Sequence, residues 1–124
     1  MPLVRIDVPE SVEPTRRTAI AAIVYESMVE VLNVPEHDRF QIVTAHSSGN
    51  LLIDPTYLDI DRSDQAFIID ITLNAGRSVE LKKQFYAALA ERLKAFAQIR
   101  FEDVFVSLTE VAKENWSFGN GVAQ

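Results

Sequence analysis

The stretch IAAIVYESMVEVLNVPEHDRF (residues 20–40), laid over FYAALAERLKAFAQIRFEDVF (residues 85–105), decides the fold. At a constant offset of 65, Ile20 falls on Phe85, Val24 on Leu89, Met28 on Leu93, Val31 on Phe96, Val34 on Ile99, Asp38 on Asp103 and Phe40 on Phe105. Apolar residues at helical spacing, followed at a matching distance by an acid and an aromatic, indicate one supersecondary unit used twice. In the first copy Ile20, Ile23, Val24, Ser27, Met28, Val31 and Leu32 keep i, i+3, i+4, i+7 spacing, which predicts an amphipathic helix. Ser11 is its expected cap, Pro14 belongs to its first turn and Pro35 stops it. Upstream, Pro2 to Val8 reads as a strand, and downstream Arg39 to Thr44 alternates as a second. The second copy repeats that order: a strand over Ala66–Leu73, a helix over Ser78–Ala97 with Leu81, Phe85, Leu89, Leu93 and Phe96 inward, and a strand over Val104–Leu108.

Two βαβ units predict an α+β fold in which a four-stranded mixed sheet carries both helices on one face, because right-handed crossovers put them on the same side. A single domain over 1–124 is expected, with halves at about 1–46 and 65–110. Residues 47–64 form a linking excursion with a short strand at Leu51–Ile53, and 115–124 a C-terminal hairpin around Gly119-Asn120-Gly121. Ala66-Phe67-Ile68-Ile69 and Val104-Phe105-Val106 are apolar at alternate positions on both sides. Strands of that kind are normally covered on both faces, so a homo-oligomer is expected.

The composition removes several classes of function. At 124 residues, a folded monomer would expose on the order of 6,700 Å² and bury about two-thirds of its unfolded surface, enough for one core. Twelve Lys and Arg against eighteen Asp and Glu leave a formal charge of −6, which repels a phosphate backbone and argues against nucleic acid. The absence of cysteine excludes disulfides, thiolate metal sites and cysteine nucleophiles. Charged Arg5, Asp7, Glu10 and Glu13 exclude a signal peptide's apolar core, and the longest apolar run, Ala19–Tyr25, is too short to span a bilayer. A cytoplasmic protein without membrane partners is expected.

Candidate chemistry lies in few residues. Pro2 follows the initiator Met1, and a small second residue permits removal of that methionine. Pro2 would then be a free secondary amine with a pKa near the α-amino range of about 7.7–8.0, able to act as base, acid or nucleophile. Retention of Met1 would make that nitrogen an amide. By type and place Asp38 caps or hydrogen-bonds the turn before its strand, as Asp103 does in the second copy. Arg77 beside Ser78 stands at a helix entrance, suited to an anion, or is a solvated arginine. Trp116 and Phe118 suit interface packing, a pocket wall, or both. His37 and His46 have no evident third ligand, so no metal site is expected.

Met-Pro at the start, the duplicated βαβ unit, Asp38-Arg39-Phe40-Gln41 and Asn115-Trp116-Ser117-Phe118-Gly119-Asn120-Gly121 together resemble the tautomerase superfamily over the whole chain. The nearest branch looks like the malonate semialdehyde decarboxylase-like one, related to 4-oxalocrotonate tautomerase and macrophage migration inhibitory factor. The resemblance implies a homotrimer, no metal or organic cofactor, and a small carboxylate-bearing substrate. It assigns the catalytic amine to Pro2, a water-orienting carboxylate to Asp38, a substrate-carboxylate arginine to Arg77 and an aromatic wall to Trp116 and Phe118. The decarboxylase pattern has a second arginine two residues before Arg77, where this chain has Ala75. The expected activity is keto–enol tautomerisation of a small 2-oxo acid. Decarboxylation or hydration in the manner of malonate semialdehyde decarboxylase is the alternative enzyme, and a non-catalytic oligomeric binding protein the alternative outside enzymes.

Overall fold

The computed structural model describes residues 2–124 and consists of one four-stranded sheet with two long helices on one face. The elements run β1 (Leu3–Pro9), α1 (Pro14–Leu32), β2 (Gln41–His46), β3 (Phe67–Asn74), α2 (Val79–Ala97) and β4 (Val104–Val111). In space the strands lie in the order β2-β1-β3-β4. The pairs β1/β2 and β3/β4 are parallel and the central β1/β3 pair is antiparallel, so the sheet is mixed as expected from two βαβ units.

Val4, Ile6 and Val8 of β1 and Phe67, Ile69, Ile71 and Leu73 of β3 are buried beneath the helices. They meet Ile20, Val24 and Met28 of α1 and Phe85, Leu89 and Leu93 of α2 in one core. The duplication extends to the backbone. Both helices end on a left-handed residue, Asn33 (φ 58°) and Gln98 (φ 54°). The next amides, Val34 and Ile99, donate back to Met28 and Leu93 at 3.2 and 3.1 Å. Closures of this kind through a left-handed residue satisfy carbonyls of the last helical turn. Asp38 N–H then donates to Pro35 as Asp103 N–H does to Arg100, at 3.3 and 3.1 Å, so each half enters its second strand through the same turn.

Several local expectations differ from the structure. Ser11 does not cap α1: Pro14 opens the helix after Glu13, which makes no side-chain cap bond, while the Ser11 hydroxyl accepts from Gln65 Nε2 at 2.7 Å. Phe96 points outward and is 72% exposed, because α2 buries the i, i+4 stripe Phe85, Leu89, Leu93, Ala97 and the smaller Ala97 takes the last inward place. Leu51–Ile53 forms no strand. Instead the excursion folds on itself: the Asp54 carboxylate accepts the Thr56 and Tyr57 amides, and Arg62 Nη1 donates to the Tyr57 carbonyl at 2.9 Å. The tail turns back, with Gln124 N–H donating to the Trp116 carbonyl at 3.0 Å, but builds no strand ladder among the described residues. Gly119, Asn120 and Gly121 all have positive φ, one left-handed residue more than a two-residue hairpin turn accommodates.

The open face of the sheet is not uniformly apolar. Strand alternation and the register put Ile42, Ile68 and Phe105 on it together with Arg5, Asp7 and Asp70, Arg5 standing directly opposite Asp70. Ile42 and Phe105 are nevertheless 41% and 48% exposed. Among the described residues no helix is long and apolar enough to cross a membrane.

Candidate active site

Three segments meet at one end of the sheet: the start of β1, the end of β3 and the turn from α1 into β2. The register that pairs Leu3 with Thr72 sets Pro2 beside the last residues of β3. The Val4 amide donates to the Phe40 carbonyl at 2.9 Å, which draws the α1–β2 turn against the same end. Pro2 is buried there and lines a small cavity with Asp38, Arg39, Phe40, Tyr25 and Met28. Its volume is about 10 Å³, the space of roughly one water.

Asp38 reaches this cavity because the chain turns sharply after Pro35. His37 adopts φ 69° and its amide donates to the Tyr25 hydroxyl at 2.8 Å. The Asp38 side chain is buried, as is its repeat mate Asp103. Their surroundings differ. The Asp103 carboxylate accepts the Ser63 amide at 2.8 Å and its hydroxyl at 2.6 Å, so it anchors the excursion to the turn before β4. Asp38 occupies the corresponding turn of the first half and lines the cavity that Pro2 also lines.

An aromatic stack leads outward from the cavity. The Phe40 ring lies 5.7 Å from Phe118, and Phe118 stacks on Trp116 at 5.2 Å with 18° between planes. Trp116 Nε1 donates to Asn74 Oδ1 at 2.7 Å, which fixes the indole to the end of β3. Phe40, which belongs to the Asp38-Arg39-Phe40-Gln41 motif without an assigned role, therefore joins the cavity to the stack. Its signal in the sequence was its place two residues after Asp38 and its match to Phe105.

Arg77 is close to this group but does not line the cavity. Its Nε donates to the Leu32 carbonyl at 3.0 Å and its Nη1 to the Asn74 carbonyl at 3.1 Å. The side chain thus clips the C-terminal end of α1 to β3, the end where a cation is favoured. Of the five N–H groups of a guanidinium, the Nη2 pair and one on Nη1 are not used in these two bonds. Ser78 caps α2 by accepting from Leu81 N–H at 3.1 Å. The preceding Gly76 (φ 127°) donates its amide to Glu110 Oε2 at 3.2 Å. Hydrogen bonding from Lys82 above all holds the Glu110 carboxyl below the usual range against an opposing desolvation, with the Gly76 amide adding to the lowering. The Arg77 turn is therefore braced from β4 and from α2.

Neither histidine joins the group. His37 is exposed, and His46 Nε2 meets Asp7 Oδ1 at 2.6 Å toward the opposite end of the sheet. No cluster of three or more His, Asp or Glu suited to a metal occurs among the described residues. A wider cleft of about 380 Å³ beside His46, Ser47 and Ser63 includes none of Pro2, Asp38, Arg77, Trp116 or Phe118.

The chain matches known proteins along its length. A family model described as tautomerase enzyme matches residues 38–119, and a second with that description matches residues 2–59. The chain is 36% identical over 124 residues to the probable tautomerase YusQ of Bacillus subtilis (strain 168), covering all of this chain and 98% of the relative. The crystal structure of FG41 malonate semialdehyde decarboxylase inhibited by 3-bromopropiolate is 40% identical, covers 96% of this chain and 90% of its own, and superposes with a TM-score of 0.89. A fused 4-OT symmetric trimer shares the fold at TM-score 0.79 with 21% identity, covering 98% of this chain and 94% of its own.

Proposed function

This chain belongs to the tautomerase family, and from that premise we propose that it is a cofactor-free keto–enol tautomerase of small 2-oxo acids, with the Pro2 nitrogen as proton carrier and Arg77 as carboxylate anchor. The observation that carries this reading is the shared cavity of Pro2 and Asp38, closed outward by Phe40 and the Phe118–Trp116 stack. Once Met1 is removed, Pro2 is a secondary amine beside a buried carboxylate. Asp38 favours the ammonium form and burial favours the neutral amine. Ketonisation tolerates either. The neutral amine takes the proton from the C2 hydroxyl of a 2-hydroxy-2-enoate and returns it to C3; the ammonium protonates C3 first and recovers the hydroxyl proton. C2=O forms, the C2=C3 pair becomes the new C3–H bond, and the enzyme ends as it began. Substrate lies against the exposed faces of Phe40 and Phe118, and its carboxylate takes the unused N–H groups of Arg77 in a charge-assisted pair.

A homotrimer belongs to this reading. The exposed Ile42 and Phe105 on the open sheet face support it, as does a surface of 7,425 Å² against about 6,700 Å² for a typical monomer of this mass. A fused 4-OT of the same fold is itself a symmetric trimer.

Decarboxylation is the second reading, favoured by the 40% identity to malonate semialdehyde decarboxylase. Loss of carbon dioxide from a 3-oxo acid needs the departing carboxylate fixed while a cation accepts charge at the neighbouring carbonyl. Arg77, already clipped to two backbone carbonyls, serves one of these tasks, and with Ala75 in place of a second arginine the other falls to the Pro2 ammonium. Both reactions measured on one preparation separate the readings. We expect a higher kcat/KM for ketonisation of an enolpyruvate than for decarboxylation of malonate semialdehyde, with Ala75→Arg narrowing the gap. Efficient decarboxylation with negligible tautomerisation would establish the second reading.

A further inference from the structure

We infer that Asn74 is the positioning residue of the aromatic wall: it ties Trp116 and the chain end to the strand that also holds Arg77. This rests on the reading of Trp116 and Phe118 as the wall of the Pro2 site. Three bonds converge on Asn74. Its Oδ1 accepts from Trp116 Nε1 at 2.7 Å, its Nδ2 donates to Gln124 Oε1 at 3.2 Å, and its carbonyl accepts from Arg77 Nη1 at 3.1 Å.

The chemistry selects asparagine. An indole N–H only donates, so Trp116 needs an acceptor, whereas the Gln124 carbonyl oxygen needs a donor. One carboxamide supplies both from a single side chain. The scaffold is also suited to the task. Asn74 is paired in register with Val111 at the end of β3, while the tail it holds makes no strand pairing of its own among the described residues. The remaining ties of that tail are the Gln124–Trp116 backbone bond, the turn at Lys113–Asn115 and the stack on Phe40. Without the Asn74 side chain, Trp116 and Phe118 lose their fixed orientation over Phe40. The Arg77 clip survives, because it uses the Asn74 carbonyl. Substrate is then held less well, while Pro2 and Asp38 keep their places.

Trp116 is the only tryptophan, so intrinsic emission reports on this one tether. The experiment compares wild type, Asn74→Leu and Asn74→Asp by acrylamide quenching without substrate and by enolpyruvate kinetics. Asn74→Leu should raise quenching, shift emission to the red and raise KM about 5- to 10-fold, the equivalent of one lost hydrogen bond, with kcat within about 2-fold. Asn74→Asp keeps the acceptor for Trp116 and loses only the donor to Gln124, so its quenching should stay near wild type and its KM rise by no more than about 3-fold. Unchanged quenching in Asn74→Leu overturns the inference whatever the activity, as does a loss in folded Asn74→Asp equal to that in Asn74→Leu. Raised quenching in Asn74→Leu but not Asn74→Asp, in a protein whose wild type lacks tautomerase activity, supports the tether and refutes the functional reading instead.

Discussion

Replacing Arg77 with alanine should produce two separable losses, because this side chain is at once a structural clip and the proposed anchor. The structural part follows from the bonds of Nε to Leu32 at 3.0 Å and of Nη1 to Asn74 at 3.1 Å. With Arg77 half-buried, about 1 kcal/mol for each bond is a reasonable value, hence roughly 2 kcal/mol in all. An entropy of unfolding near 2.1 cal/mol/K per residue over 124 residues gives about 0.26 kcal/mol/K, so the melting temperature should fall by about 8 °C. Scanning calorimetry at fixed protomer concentration measures this, since oligomer stability depends on concentration. The binding part appears only with charged substrates. Losing a charge-assisted bond of about 1.5–3 kcal/mol lowers kcat/KM for a carboxylate-bearing enol about 10- to 150-fold. A neutral enol of similar size should lose only what the structural change imposes on both. Equal losses for charged and neutral substrates would refute the anchor and leave Arg77 as a clip; an unchanged melting temperature would refute the clip.

Native mass spectrometry at micromolar concentration should report about three times the 13.9 kDa chain mass, and a stable monomer would remove the case for a covered sheet face. Asp103→Ala strands the Ser63 amide and hydroxyl that the carboxylate now satisfies, so it should cost about 2–3 kcal/mol and make residues 47–64 more susceptible to limited proteolysis, with the Pro2 cavity unaffected. The Glu110 carboxyl titrates below its unfolded value, so its contribution is present above about pH 4.5 and lost as pH falls through the lower folded value. Thermal scans from pH 6 downward should therefore show a shallower acid loss in Glu110→Gln than in wild type; parallel curves would count against the brace.

The duplicated framework was legible because helical spacing and a constant offset are properties of the sequence itself. The four-stranded mixed sheet with both helices on one face followed from two right-handed βαβ units; the order β2-β1-β3-β4 came from the structure. The two halves match down to the left-handed helix ends at Asn33 and Gln98, which no single residue type announced. Misreadings came where one position competes with its neighbours. Phe96 and Ala97 both fit an inward stripe within one residue, and only packing against α1 decides between them. Ser11 looked like a cap by type, but Pro14 fixes the helix start three residues later, and the hydroxyl meets Gln65 instead. The open sheet face read as apolar from Ile68 and Phe105; the charges on it come from Arg5 and Asp7 of the adjoining β1 and from Asp70, two residues after Ile68 in β3 itself. At the candidate site, residue types suggested Pro2, Asp38, Arg77, Trp116 and Phe118, and all five lie with Phe40 and Asn74 at one sheet end, Arg77 outside the cavity. The clipping of Arg77 to two carbonyls and the double use of Asn74 depend on backbone atoms, which spacing does not reveal.

The state of the Pro2 nitrogen tests the proposed chemistry most directly. Intact mass of natively expressed protein, read beside enolpyruvate ketonisation by the same sample and by a sample that retains Met1, measures it. Native protein lighter by one methionine and active, with methionine-retained protein at least 100-fold slower, is the expected result, since general acid–base catalysis contributes about 10²–10⁴-fold. Full activity in the methionine-retained protein would contradict a mechanism that runs through the amine.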